Sequence, residues 1–506
     1  MQLAMAPRWR LGSLLGDTRP LISGGCCMLA LTFALQYWPL FRPRRKALPP
    51  GTSGLPFLLG SSLMLFGDVG EWLRVMHKRF GPAFRALFFG THLIVVDMDV
   101  YDRAFAKLDQ TAALQPLWPT GFKCIVGYNG LQFMRGGSGP LGSRHRRMKR
   151  KVSDAFTPAE LRSFFPRIEQ IVRDDFELMV EETLANGHTT LALHCLRTVK
   201  RIILELTLGE NAIDPALYLS DSATVLMEGM IAAPIDLGPL TAFGRAMAVR
   251  RSWQREVKKL IQDDGKEGQD GDPDGVANPE LAHQPVLKRL AKQSKHGQGL
   301  TLEELQDLLI GLLLGGSLTT AETMQWLLTE VRRNPEWKDK LTQESRQMVA
   351  TEGGLTAAWG SCPPEGSKTP CPLSLAAVYE TLRLHCPVDV VLRTVDEDVD
   401  LGEGCGTVPA GWWVACHMTE RGIRQGGTDF NPDRWVGKSY VSSPEVVAFG
   451  LGPHFCVGRT LALWELQTFL HVWLTSYEVE VLNDENESVI GMRRFKGGMP
   501  LKVRRK

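Results

Sequence analysis

Phe449-Gly450-Leu451-Gly452-Pro453-His454-Phe455-Cys456-Val457-Gly458-Arg459 is the stretch of this chain best equipped for chemistry. One thiol, Cys456, stands in a glycine-rich turn just before an apolar run, Arg459 to about Ser476, that reads as a helix. Gly450 and Gly452 lack a Cβ, so the backbone can turn sharply and come close to a flat cofactor. A sulfur ahead of a helix N-terminus meets free amides and the positive end of the helix dipole. Both would lower its pKa and hold it as an anion. Phe449 can cover the sulfur and keep water away. These conditions suit the axial thiolate of a haem iron. The competing reading of an isolated cysteine is a small buried apolar side chain. The Phe-x-x-Gly-x-His-x-Cys-x-Gly spacing favours the ligand.

Such a loop needs elements to hold it and a wall across the metal. Thr301 and Glu304 have the spacing of a capping box. Helical, mostly apolar sequence then runs to Arg333 and closes at Asn334-Pro335. That helix would be roughly 33 residues, or about 50 Å, long. Gly315 and Gly316 lie side by side within it, each costing about 1 kcal/mol against alanine. Either some body or a neighbouring helix packs closely against them. Leu373 to His385 reads as a short helix with Glu380 and Arg383 on one face. Taken alone, that is a surface ion pair worth little. Arg144-His145-Arg146-Arg147-Met148-Lys149-Arg150-Lys151 is dense in positive charge. It reads as a solvated basic face, a nuclear or nucleic-acid patch, or a set of partners for cofactor carboxylates and an acidic redox protein.

The remaining segments carry less chemistry. Residues 84–89 and 93–97 read as a β-hairpin about Gly90-Thr91. Thr157-Pro158-Ala159-Glu160 reads as a capped helix start. Leu114 to Gly127, with Trp118, Phe122, Ile125 and Val126, reads as a loop that caps a lipophilic pocket or simply packs. Asp263 to Pro279, rich in Gly and Asp, reads as a flexible surface loop. Asp270-Gly271-Asp272-Pro273-Asp274-Gly275 imitates a calcium loop, but Leu281 stands where the bidentate Glu belongs, which excludes that site.

Together these segments resemble the cytochrome P-450 family over roughly Pro49 to the C-terminus. The resemblance implies a mainly α fold with small β-sheets, in one large catalytic domain, and haem b (iron protoporphyrin IX) held by Cys456. It implies that Glu380, Arg383 and Arg434, the last within Phe430-Asn431-Pro432-Asp433-Arg434-Trp435, form a buried network behind the thiolate loop. Arg393, closing a strand over 387–393, and His454 would contact the haem propionates. His145 and Lys149 stand where a family helix carries a propionate-binding Trp and Arg; lysine offers only a point charge there. Phe449 and Gly450 would flank the sulfur. Gly315 and Gly316 would lie over the opposite haem face. Thr319, with Thr320 beside it, would hydrogen-bond the oxygen being activated and help deliver protons. The acid that the family places before this pair is Leu318 here, and leucine cannot relay protons; Glu322 lies one turn on. Trp118, Phe122, Leu312, Val388, Val390, Val391 and Met499 would line the substrate pocket, with Gly497-Gly498-Met499-Pro500 as a final hairpin. Pro409-Ala410-Gly411-Trp412, Trp118-Pro119, His145 and the glycine pair are most similar to the branch that hydroxylates retinoic acid, sterols and related isoprenoids.

The implied activity is a haem-thiolate monooxygenase acting on a lipophilic small molecule, probed first as a retinoid, sterol or terpenoid. Its electrons would come from an NADPH-cytochrome reductase or a ferredoxin. Leu318 motivates an alternative on the same fold, isomerisation or dehydration of a hydroperoxide without a reductase. A haem-binding sensor or scaffold without turnover is the third reading. Composition agrees with a large enzyme: 506 residues, 44% hydrophobic and 23% charged. A net charge of +2 implies no global attraction to nucleic acid. The ten cysteines show neither a disulfide framework nor a zinc pattern, which fits a reducing compartment. Residues 1–19 read as a leader. Residues 20–41 carry no charge and, as a helix, would reach about 33 Å, close to the roughly 30 Å hydrocarbon core. They read as a membrane anchor, with a transit segment, a cleaved signal or a buried helix as alternatives. Residues 42–51 form a basic, proline-bearing hinge, and the catalytic domain follows over 52–506. The expected place is the endoplasmic reticulum membrane with the domain in the cytosol; plastid or mitochondrion is the alternative.

Overall fold

The computed structural model describes residues 47–51, 61, 68–88, 91–111, 113–210, 222–267, 285–295, 300–361, 369–438, 447–489 and 492–506. The proposed leader and anchor lie outside these residues. Among the described residues no helix is long and apolar enough to cross a membrane.

The expected long helix spans Leu302–Arg333. Its capping box is complete: Thr301 Oγ1 accepts from the Glu304 amide at 3.2 Å, and a Glu304 carboxylate oxygen accepts from the Thr301 amide at 3.0 Å. Asn334 and Pro335 end it, because proline cannot donate to the preceding turn. This helix packs against Leu191–Leu208, against the ion-pair helix Pro372–Leu384 and against the thiolate helix Arg459–Ser476. The thiolate helix is buried nearly all round, from Leu461 to Leu474, as expected of a helix apolar on every face. These helices enclose the main core. Thr157 caps Pro158–Arg162 as its sequence indicates.

Strands are few and short. β1 (Ala83–Phe88) and β2 (Thr91–Val96) form the expected hairpin, pairing Ala83 with Val96. β3 (Leu114–Pro116), β5 (Val390–Val395) and β8 (Trp413–His417) complete a sheet of order β1-β2-β8-β5-β3, in which β2 and β8 run parallel. One face of this sheet closes a second core and the other a third. β4 (Thr189–Thr190), β12 (Pro500–Arg505) and β9 (Tyr477–Val481) form a three-stranded sheet. β6 (Val399–Asp400) pairs with β7 (Thr407–Val408), and β10 (Asn486–Val489) with β11 (Met492–Phe495). The architecture is mainly α with small sheets, as the resemblance implied.

Some local expectations change. The segment 114–127 is not one loop: β3 leads into a helix, Thr120–Val126. The helix Ala242–Glu267 runs into the stretch read as a surface loop, and 268–279 lie outside the described residues. The hinge ends on the sheet, where Arg85 N donates to Pro50 O at 2.7 Å and Gly51 bridges Arg85. The pocket strand begins at Val390, not Pro387. Gly497-Gly498 form a tight turn ahead of β12, and the hairpin lies just before it, in β10 and β11.

Candidate active site

The thiolate loop is built as its glycines demand. Gly450 (φ 76°) and Gly452 (φ 59°) occupy the left-handed region that disfavours side chains. Cys456 N donates to Phe449 O at 2.8 Å, and Gly450 N to Val447 O at 2.7 Å, closing the turn on itself. Phe449 is buried beneath it. Lys149, on the basic helix Ser143–Ala155, reaches across and donates to Pro453 O at 2.5 Å and Phe455 O at 2.8 Å. It therefore braces the loop through its backbone, a role invisible in the sequence because carbonyl partners leave no signature there. Gly136 is equally close: a Cβ there would sit 2.5 Å from Pro453 Cβ and 2.8 Å from His454 Nε2.

The thiol does not behave as the helix-terminus argument predicts. Burial pushes the Cys456 thiol above its ordinary range, outweighing the Gly458 amide, Lys149 and Arg459, all of which act to lower it. The Cys456 residue is exposed to solvent, yet enough protein surrounds its thiol for burial to remain the largest influence on it. The crowding, more than the opening, sets its proton affinity. A cation bonded to sulfur would supply what the helix dipole alone does not.

Beside the loop lies a cluster of buried donors. His145 and His454 pack with ring centroids 4.7 Å apart. Arg393, near the middle of β5, comes within 3.6 Å of the Asp109 carboxylate. His454 Nε2, His145 Nδ1 and Arg393 Nε are all buried without a hydrogen-bond partner. Burial, then Arg393, His145 and Lys149, pushes His454 down to about 2. Burial, then Lys149 and Arg146, pushes His145 down to about 4. Unpartnered buried donors are costly, and donors massed with this much positive charge suit anionic carboxylates such as haem propionates. Asp109 was missed in the sequence. It stands in the last turn of the short helix Ala106–Gln110, its carboxyl is pushed up chiefly by burial, and Tyr101 donates to it at 3.3 Å. Nothing in the residues around it marks it out.

On the ion-pair helix, Glu380 is a hub. Arg383 donates to it twice at 2.8 Å, Arg434 Nε at 3.1 Å, Asn431 N at 2.8 Å and Trp435 Nε1 at 2.7 Å. Glu380 and Arg383 are fully buried, so this is not the weak surface pair that spacing alone allows. Arg383 also donates to the carbonyls of Gly422, Gly427 and Asp429.

The long helix shows two different glycines. A Cβ on Gly316 would meet Ile203 Cδ1 at 2.4 Å, so Gly316 serves close helix packing. Gly315 has nothing within 4 Å and faces open space. Thr319, four residues on and so on the same face, donates to Gly315 O at 2.7 Å. Its hydroxyl lone pairs stay available to a ligand. Thr320 is buried and bonded to Glu465 of the thiolate helix. Glu465 was also missed, although a lone carboxylate within an apolar run was a usable signal.

The expected pocket wall is only partly assembled. Trp118 and Phe122 stack at 4.4 Å with Phe133 nearby, and Trp118 Nε1 donates to Gln132 O at 3.1 Å. Leu312 is half-buried on the long helix. Val390 packs with the third core and Val391 with the second, because neighbours on a strand point to opposite faces. The three valines therefore cannot share one wall. Val388 lies outside the strand and is exposed. Met499 is fully buried in the main core, so it is a packing residue and not part of the pocket lining. In the basic helix, Arg144 and Arg147 pair with Glu304 at 3.2 and 2.9 Å, and Arg146 donates to the Gly137 and Gly139 carbonyls. Arg144, Arg146 and Arg147 remain exposed all the same, so this side of the helix is a solvated basic face tied back to the fold by these bonds.

A family model described as Cytochrome P450 matches residues 49–499. The chain belongs to the cytochrome P450 family. It is 24% identical over 476 residues to abscisic acid 8'-hydroxylase 1 of Arabidopsis thaliana, covering 92% of this chain and 93% of that protein. It is 25% identical to cytochrome P450 85A of Phaseolus vulgaris, covering 90% and 91%. It is 24% identical to cytochrome P450 720B2 of Pinus taeda, covering 95% and 96%. Among solved structures, retinoic acid bound cyanobacterial CYP120A1 superposes with a TM-score of 0.72 at 23% identity, over 91% of this chain and all of that one. The P450 fold and a haem cofactor follow, and the protein is an oxidoreductase of monooxygenase type. The residues present fit the haem: a sulfur on a braced loop, buried nitrogens without partners and, on the long helix, a glycine that faces open space.

Proposed function

We propose that this P450 hydroxylates a lipophilic isoprenoid, with Cys456 as the iron ligand. The observation that carries this reading is one geometry: a backbone-braced, exposed cysteine beside buried ring and guanidinium nitrogens, Arg393 Nε, His454 Nε2 and His145 Nδ1, that have no hydrogen-bond partner. Haem, when bound, supplies the oxygen chemistry. In this reading the chain's own residues do the rest. Arg393, His454 and His145 hold the two carboxylates of the porphyrin. Lys149 and the Glu380–Arg383–Arg434 network fix the loop. Phe449 keeps water from the sulfur. Gly315 leaves room beside Thr319, whose hydroxyl orients and passes a proton. Trp118, Phe122 and Leu312 offer apolar contact to substrate. Two relatives support an isoprenoid: one is named for abscisic acid, and the solved neighbour binds retinoic acid.

Electrons come from an NADPH-dependent reductase or a ferredoxin, and the N-terminal apolar run anchors the enzyme to a membrane. The test is a reduced, CO-bound spectrum followed by a substrate screen read by haem spectral shift. A thiolate-type spectrum, lost in Cys456→Ala, is expected, together with binding of retinoids, abscisic-acid-like terpenoids or sterols. A histidine-type spectrum in the wild type would sink the assignment. Leu318, in place of a relay acid, favours a second reading: reductase-independent rearrangement of a lipid hydroperoxide. Turnover with hydroperoxide but none with NADPH, reductase and oxygen would decide for it.

A further inference from the structure

Asp109 is an acid among the cations that would hold the haem. It is 3% exposed, and its helix, Ala106–Gln110, packs on the Gly452–His454 turn of the thiolate loop. A Cβ on Gly452 would lie 3.5 Å from Asp109 Oδ2. Tyr101 donates to the same oxygen at 3.3 Å. Asp109 Oδ1 faces Arg393 Nε at 3.6 Å, just beyond hydrogen-bond reach, and both atoms are buried without a partner. Arg393 Nη1 donates to Leu392 O at 3.0 Å. The guanidinium is thus engaged at two nitrogens, and Nη2 bonds nothing among the described residues. Lys149, which braces the thiolate loop, also acts on Asp109 through its charge. A buried ion pair is weak evidence for stability, and this one leaves its facing atoms unbonded. One carboxylate therefore sits where the propionate cation and the loop cation both feel it.

We propose that Asp109 is a positioning residue for the haem: it orients Arg393 so that Nη2 meets a propionate, and its negative charge holds the reduction potential of the iron down. This inference rests on the reading of Arg393 as a propionate contact. An arginine fixed before its anion arrives loses less side-chain freedom on binding it. Partners one step removed from a bound group commonly set its orientation in this way. The charge of Asp109 also acts through space. Reduction adds an electron to the haem, and a buried carboxylate close by opposes that addition in a low-dielectric interior. Arg393 and Lys149 pull the potential the other way, and Asp109 offsets part of their effect. Burial favours the protonated carboxyl, whereas Arg393, Tyr101 and Lys149 favour the charged form. The potential reads which of the two prevails.

The test uses haem-loaded full-length protein. It reads haem loss to excess apomyoglobin and the ferric–ferrous midpoint potential, neither of which needs a substrate. Asp109→Asn should speed haem loss about tenfold. It should also move the midpoint positive, favouring the ferrous form about tenfold at a fixed potential. Asp109→Ser, which deletes the same charge with a smaller side chain, should do both as well. Arg393→Gln should speed haem loss too, and adding Asp109→Asn to it should speed it no further, because Asp109 retains haem through Arg393. A carboxylate that only packs would leave the potential where it is. Haem loss unchanged in both Asp109 variants, an equal acceleration with and without Arg393, or an unmoved midpoint would each overturn the proposal. Haem loss indifferent to Arg393→Gln would refute the propionate role of Arg393, and the inference with it.

Discussion

Glu380 shows what spacing alone conceals. Its three-residue offset from Arg383 was readable, and the resemblance supplied Arg434. The bonds from Asn431 N and Trp435 Nε1 needed the folded chain. Five bonds on one buried carboxylate make it irreplaceable by a neutral group. Glu380→Ala leaves Arg383 buried and unpaired, and should cost about 3–5 kcal/mol, measured as a lower urea midpoint together with loss of bound haem. Lys149→Met should leave the global midpoint nearly unchanged. It frees the Pro453 and Phe455 carbonyls, so the CO-bound spectrum should convert faster to its thiol-ligated form, followed by absorbance over time. Lys149 was found in the sequence but given a different partner. Asp109 and Glu465 were overlooked because the residues that explain them lie far off in the chain.

At the scale of elements, the long helix, its capping box, the ion-pair helix and the first hairpin were all legible. Each is fixed by local chemistry: a cap, a proline stop or a two-residue turn. The 114–127 helix was not legible, because seven residues give too little periodicity to distinguish a helix from a loop. The adjacent glycines looked equivalent and are not. Gly315→Ala should raise the melting temperature, since alanine gains about 1 kcal/mol in helix propensity and nothing lies in its way. Gly316→Ala must displace Ile203 and should instead destabilise by about 1–3 kcal/mol. Pairing it with Ile203→Val, which deletes the offending Cδ1, should recover most of the loss. Thermal unfolding of the three variants checks both statements.

Over the whole molecule, two buried histidines set opposite responses to pH. His471 is held at about 4, below its ordinary 6.5, so the unfolded chain binds its proton first. Its contribution is complete above about 6.5 and falls by about 1.4 kcal/mol per pH unit down to about 4. His194 is also desolvated, but hydrogen bonds to Asp175 and Glu182 at 3.0 and 2.9 Å raise it. Its contribution is present below the ordinary value and lost as pH rises through the raised one. His471→Leu should therefore flatten the acid side of the stability profile and His194→Gln the neutral side, as read by urea unfolding across pH. The overall class was legible because one loop and one helix pair identify it. Compartment and substrate depend on the N-terminal run and on apolar contacts that carry no such signature.

The Glu380 hub also dictates an order of assembly. Its donors come from its own helix and from the later 431–435 turn, and a carboxylate buried with only some of them present is unstable. The ion-pair helix can settle only after the chain has closed that long loop and paid its entropy. The cysteine lies further on still. The nascent polypeptide can grip porphyrin only late in synthesis, and any truncation before the last helix yields a chain that folds in part yet stays colourless.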